Sequence, residues 1–218
     1  MRLRKLSVVA VVLVLVGGLL GLSLLQGSRG ESHREWAQGG QYGQWQVVYN
    51  GYGKVTGNAH EVVLEPNAAS HLDATHAALV RTTEVFGNDV EFELTVHTEA
   101  QVRSGAPNPW EVGWVLWNYE NDERFYAVAL KPNGWEISKQ DPAYPGNQRF
   151  LLSGENYTFP LNQDHRVRVR HSGHTMSVWA DGNFLGEFTD QERPYEGGSI
   201  AMYTEDARVR FSNFEVVR

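Results

Sequence analysis

From Gly113 onward, apolar and polar residues alternate in short runs, each closed by Asn, Asp, Gly or Pro. Eight runs stand out: residues 113–119, 125–131, 135–139, 165–171, 176–182, 183–188, 197–204 and 209–217. Four more precede them, at 45–49, 60–64, 77–82 and 90–97. Period-two alternation over four to eight residues marks half-buried strands, and no long 3.6-residue pattern competes. The pattern predicts an all-β, antiparallel sandwich with loops at 68–76, 101–109, 141–147 and 157–164.

The alternation also assigns faces, because successive strand side chains point to opposite sides. Over 90–97, Val90, Phe92, Leu94 and Val96 form the apolar face, and Glu91, Glu93, Thr95 and His97 the polar one. Val167 and Val169 point inward while Arg166, Arg168 and Arg170 face away. Residues 113–119 are apolar on both sides, with Trp114 and Leu116 against Val115, Trp117 and Tyr119, and 125–130 behave alike. Such strands belong to the middle of a sheet. Asp181-Gly182 predicts a tight type I′ hairpin.

The first residues read differently. Arg2, Arg4 and Lys5 precede an uncharged stretch, Leu6–Leu25. That is the arrangement of a signal peptide, yet the stretch is also long enough to span a ~30 Å hydrocarbon core as a helix. Residues 1–30 are therefore expected to be a cleaved signal or a signal anchor, beginning with a hydrophobic helix. Both alternatives place the remainder outside the cytoplasm, secreted or anchored to the outer side of the membrane. Residues 31–44, rich in Gly, Gln and Ser, are expected to be a flexible linker, and 45–218 the domain. The chain has no Cys, hence no disulfide and no thiolate metal site. Its formal charge is −7, and the basic flank makes the rest more acidic still. An acidic exported domain argues against nucleic acid and anionic membranes as partners, and leaves the membrane to the N-terminal segment alone.

The order of hairpins resembles the concanavalin A-like lectin/glucanase jelly rolls. The resemblance covers roughly 45–218. It is carried by the Trp117-to-Tyr126 hairpin, the Ala180-Asp181-Gly182 turn and the closing pair around Tyr203 and Phe211. Glu111-Val112-Gly113-Trp114, Trp135-Glu136 with Lys139, and Tyr203–Ala207 are similar to laminin-G-like and 3-keto-disaccharide-hydrolase-like domains. The resemblance implies carbohydrate binding or carbohydrate chemistry on an open concave face.

Candidate chemistry follows on those terms. Trp117, Tyr119 and Trp135 are expected to border the concave face, where aromatic planes stack on sugar rings. Arg124, Glu136 and Lys139 are expected to meet sugar hydroxyls beside them. Asp122, Asp190 and Asp206, with Asn121 and Glu205 nearby, offer hard oxygens for a structural calcium, although turns favour such residues anyway and no cofactor is required. His171 and His174 flank a turn without a third ligand, so zinc is not expected. Glu91 and Glu93 share a strand face about 7 Å apart, inside the roughly 6.5–9.5 Å of inverting glycosidases. A solvent-facing row beside Thr95 explains them more simply. The Glu-x-Asp-x-Glu string of family 16 glucanases is absent, no Gly-x-Ser-x-Gly occurs, and no catalytic residue is assigned. The expected function is a non-catalytic carbohydrate-binding module. The alternatives are a glycan hydrolase of the 3-keto-disaccharide type and a cell-surface protein-interaction domain.

Overall fold

The computed structural model describes residues 32–71 and 74–217. The expected signal or anchor, residues 1–30, lies outside them. The strands are β1 (Arg34–Glu35), β2 (Gln41–Tyr42), β3 (Trp45–Asn50), β4 (Lys54–Gly57), β5 (Glu61–Glu65), β6 (Ala77–Thr82), β7 (Asp89–Gln101) and β8 (Gly113–Asn121). They continue as β9 (Arg124–Lys131), β10 (Gly134–Gln140), β11 (Gln148–Gly154), β12 (His165–Ser172), β13 (Thr175–Ala180), β14 (Asn183–Thr189), β15 (Ser199–Glu205) and β16 (Ala207–Val217). Helix among the described residues is limited to one 3₁₀ turn, Pro145–Asn147. None is long and apolar enough to cross a membrane.

Two eight-stranded sheets face each other, with every pairing antiparallel. The first runs β1-β4-β5-β16-β7-β12-β13-β14, the second β11-β10-β9-β8-β15-β6-β3-β2. The expected all-β sandwich is what forms. Between the sheets, Val90, Phe92, Leu94 and Val96 of β7 meet Tyr126, Val128 and Leu130 of β9 and Ile200 and Met202 of β15 in one core. Each fully buried aliphatic or Phe contributes roughly 1.5–3 kcal/mol. That fixes which face turns inward. On β9 the bulky set is Tyr126, Val128 and Leu130, and the opposite set is Phe125, Ala127 and Ala129.

The hairpin between β13 and β14 turns at Asp181 and Gly182, both at positive φ (50° and 79°), as a type I′ turn requires. Asp181 also accepts the backbone N–H of Arg166 at 2.7 Å, fastening the turn to β12.

The domain starts earlier than the linker reading placed it. Trp36 is 4% exposed and belongs to the main core. Its ring stacks on Tyr42 at 4.9 Å, and its backbone N–H donates to Val55 O at 2.8 Å. β1 pairs with β4, and β2 with β3. A lone Trp and a lone Tyr among Gly and Gln give no alternation to read, so the segment passes for linker. The short β4 and β11 are missed for the same reason: each sits at or near a sheet edge and buries only part of its side chains.

Candidate functional site

The outer face of the second sheet carries an apolar cluster separate from the main core: Leu79, Trp114, Leu116, Tyr119, Ala127, Ala129 and Ala201, with Val112. Strand parity puts it there. Ala127 and Ala129 on β9 pair across to Leu116 and Trp114 on β8, and Ala201 on β15 pairs with Leu116. Methyl-sized side chains in the middle of a sheet leave its surface low. The larger rings around them rise above that floor.

Tyr119 reaches this face through a backbone irregularity. Asn118 adopts φ 49°, and the β8–β15 register shifts beside it. The extra residue reverses the parity, so that Tyr119 joins Trp114 and Leu116 rather than Trp117. The bulge is held by the buried Asn118 amide, whose Nδ2 donates to Asn88 Oδ1 at 2.8 Å and Tyr195 O at 2.9 Å.

A pocket of about 160 Å³ opens beside the cluster. Its apolar walls are Tyr49, Trp114, Phe125 and Tyr203, its carboxylates Asp122 and Glu205, and its amides Gln140 and Gln148. Tyr119 and Tyr49 donate their hydroxyls to Asp122 Oδ1, at 2.8 and 3.2 Å. Tyr203 donates to Glu205 Oε1 at 2.5 Å and packs edge-on against Trp114, whose indole N–H donates to Trp110 O at 2.9 Å. The three tyrosine hydroxyls are pushed far up, by burial first and then by the neighbouring carboxylates, and remain donors. Burial also raises the Glu205 carboxyl. The Tyr203 hydrogen bond pulls it back, and the charges of Asp206 and Glu111 push it further up.

A buried ionic tie fixes the corner below. Arg103 pairs with Glu111 and with Asp206 at 2.8 Å, and Asn108 Nδ2 donates to Glu111 Oε1 at 2.8 Å. It joins the loop after β7 to the β15–β16 corner, where Asp206 sits at φ 42°. Glu205 is thereby held at the pocket's rim.

The sequence-predicted residues divide between the two faces. Trp117 and Trp135 do not border the outer face. Both lie between the sheets in the main core, at 0% and 5% exposure. Lys139 shares the inward parity of Trp135 and Ile137. Its ammonium is buried, 2.6 Å from Asp190, donates to the carbonyls of Glu192 and Arg193, and lies 4.6 Å from the Tyr195 ring centroid. For Trp117 the physical reason is one of choice: on a strand apolar on both sides, alternation defines two faces without saying which meets the other sheet. On β10 the apolar parity of Trp135 and Ile137, opposite Glu136 and Ser138, turns inward and takes Lys139 with it. Tyr119 and Glu136 do lie on the outer face, where Tyr119 supports Asp122 and Glu136 is tied to Lys131. Arg124 shares the parity of Tyr126 at the exposed start of β9, pairs with Glu120 at 2.7 Å and lies 4.7 Å from the Tyr195 ring centroid.

The three proposed calcium ligands each have their own donors. Asp122 holds two tyrosines, Asp190 holds Lys139 and Tyr126, and Asp206 holds Arg103 and the His76 N–H. Among the described residues no three His, Asp or Glu side chains gather as a metal site. His171 is buried against Asn118 and His174 faces Glu196. Glu91 and Glu93 stand on the outer face of the first sheet, paired with Arg168 and Arg166.

Sequence reasoning passed over Tyr49, Trp114, Phe125 and Tyr203 as site residues, and offered Glu205 only to a calcium ion. A signal for them exists in the volumes. On β9 the alanines alternate with Tyr126, Val128 and Leu130. The bulky set must fill the space between the sheets, so the alanine set, with Trp114 beside it, faces out.

No protein-family profile matches the chain, and no curated protein matches it in sequence. Solved structures do match in fold. A carbohydrate-binding module, CBM66 of Bacillus subtilis, aligns over 80% of this chain and 96% of its own, at 12% identity and a TM-score of 0.57. The exoplasmic/lumenal domain of VIP36, solved with Ca²⁺ and Man3GlcNAc, aligns over 80% and 83%, at 12% identity and 0.55. A sialidase aligns over 80% of this chain but 17% of its own, at 10% identity and 0.55. With two antiparallel sheets packed face to face and these structural neighbours, the chain is a jelly-roll β-sandwich of the concanavalin A-like fold.

Proposed function

We propose that the chain is an exported, non-catalytic carbohydrate-binding module whose ligand lies across the outer face of the second sheet. One observation carries the reading: four aromatic walls, two carboxylates and two amides converge, with Leu79, on one pocket. Sugars present apolar C–H faces and a rim of hydroxyls, and this site offers rings for the first and fixed acceptors and donors for the second. The neighbours named as a carbohydrate-binding module and as a glycan-bound lectin domain support the same reading. Residues 1–30 are the exporting element in this proposal, and place the sandwich outside the cytoplasm. A glycan array probed with the protein and with Trp114→Ala tests it. Binding to a discrete set of glycans, lost in the variant, is the expected result, and an array without any bound glycan contradicts it.

A second reading, glycan hydrolysis, is favoured by one feature. Glu205 has a carboxyl raised by burial, and Asp122, lining the same pocket, is kept in place by two hydroxyl donors. An acid and a base need such unlike surroundings. Release of reducing sugar from an array-positive glycan, abolished by Glu205→Gln, would convert the module into an enzyme.

A further inference from the structure

Beside the aromatic pocket lies a wider depression of about 380 Å³, around Arg81, Tyr119 and Arg124. That is within the roughly 300–1,000 Å³ range of small-molecule sites. Four charged side chains border it, and three are committed to partners of their own. Glu120 and Arg124 form an ion pair, and the Arg124 guanidinium also lies 4.7 Å from the Tyr195 ring centroid. Glu196 accepts from Asn88 Nδ2 at 3.2 Å and lies 3.3 Å from His174 Nε2.

Arg81 differs. It stands on β6, partly buried, and its hydrogen-bond partners among the described residues are all neutral. Nε and one terminal nitrogen donate to Gln46 Oε1, at 3.0 and 2.7 Å. The other terminal nitrogen donates to Ser199 Oγ at 3.4 Å. A guanidinium has five N–H groups, so one remains on each terminal nitrogen. That remaining pair has the fork geometry that takes a carboxylate through two parallel hydrogen bonds. Gln46 holds the adjacent Nε–Nη2 edge of the guanidinium, which fixes its plane. A cation drawn partly out of water, oriented by neutral groups and given no counter-charge, is costly unless a ligand supplies one.

We propose that this depression is a second subsite of the same face, that it takes an acidic sugar, a hexuronate, and that Arg81 clamps the sugar's carboxylate. The proposal rests on the reading of this face as a glycan site. The chain's net charge of −7 gives an anion no long-range attraction, so recognition depends on the guanidinium contact itself.

The test uses full-length protein in mild detergent and an array that pairs uronate-containing oligosaccharides with their carboxyl-reduced, neutral counterparts. Hits are then titrated by calorimetry against wild type, Arg81→Gln and Arg81→Lys. The acidic form is expected to bind about tenfold or more tighter than its neutral counterpart. Arg81→Gln should bring the acidic form to the affinity of the neutral one and leave the neutral one unchanged. Arg81→Lys should restore only part of the difference, because an ammonium is a point charge without the fork. Equal affinity of wild type for both forms overturns the subsite while leaving the glycan face standing. Equal weakening of both forms by Arg81→Gln overturns it too, by making Arg81 structural. Failure of wild type to bind any glycan overturns the face and the subsite together. Should Arg81→Gln fail to fold, the acidic-to-neutral ratio of wild type and of Arg81→Lys decides.

Discussion

On the outer face of the first sheet, Glu91 and Glu93 of β7 stand against Arg168 and Arg166 of β12, while Arg208 and Arg210 of β16 meet Glu99, Glu61 and Asp164. On the outer face of the second sheet the corresponding middle strands carry Trp114, Leu116, Ala127, Ala129 and Ala201. Both surfaces belong to one sandwich and neither is needed to fill the space between the sheets. The first is a lattice of opposite charges in contact with water, worth little to stability pair by pair. The second packs its rings and methyls into a small cluster of their own, at most 7% exposed, beside the pocket that Tyr49, Trp114, Phe125 and Tyr203 wall. Function is thus expected on the face where an aromatic pocket, rather than a lattice of ion pairs, opens.

The comparison implies that interior groups govern folding and surface pairs do not. The largest effect is expected at Lys139. Lys139→Ala would strand Asp190 in the core without its cation, and breaking a buried pair from one side costs about 3–5 kcal/mol. Urea unfolding reads this directly, and a loss below ~1 kcal/mol would mean that water reaches the site. Trp36 comes next. Trp36→Ala should cost roughly 3–5 kcal/mol, as for a core tryptophan, whereas removal of residues 1–30 should leave a folded all-β protein by circular dichroism. If Trp36→Ala melts like wild type, the segment before β3 is linker after all.

A third effect concerns pH. His171 is buried, and burial foremost, with the nearby charge of His174, lowers its pKa from 6.5 to about 4. Its folded pKa lies below its unfolded one, so the unfolded chain takes up the proton first. Stability is full above about pH 6.5 and falls as the pH drops toward about 4, by up to roughly 3 kcal/mol. Denaturation midpoints at pH 7 and pH 4.5, for wild type and His171→Gln, should show a steep loss in the first and a shallower one in the second. Parallel losses would remove His171 from the account. The smallest effect belongs to the charge lattice. Arg166→Gln should change stability by less than about 1 kcal/mol and should leave glycan binding as it was.

The fold was legible because alternation is a strong signal wherever one face is polar. On β7 the Val90-to-Val96 row and the Glu91-to-His97 row lie where period two puts them. The site was much less legible, for two physical reasons. Where both faces are apolar, as on β8 and β9, the choice between them depends on volumes summed across both sheets, and Trp117 falls inside while Trp114 falls outside. On β10 the apolar parity of Trp135 and Ile137 turns inward against Glu136 and Ser138, and carries Lys139 in with it. The second reason is local. The left-handed Asn118 inserts a residue and reverses the parity, so Tyr119 changes face for a cause that no period can contain. Tyr49 and Glu205 join the pocket from strands 156 positions apart in the chain, an encounter that only the sheet order β8-β15-β6-β3 creates.

The most direct measurement of the central claim is the affinity of one array-positive glycan, by calorimetry, for wild type, Trp114→Ala, Phe125→Ala and the opposite-face control Glu91→Gln. If the outer face of the second sheet binds the sugar, each aromatic truncation should weaken binding by about tenfold, the scale of one aromatic contact, while Glu91→Gln stays at wild-type affinity. Unchanged affinity in both aromatic variants, with loss in Glu91→Gln, would contradict the account and move the site to the first sheet.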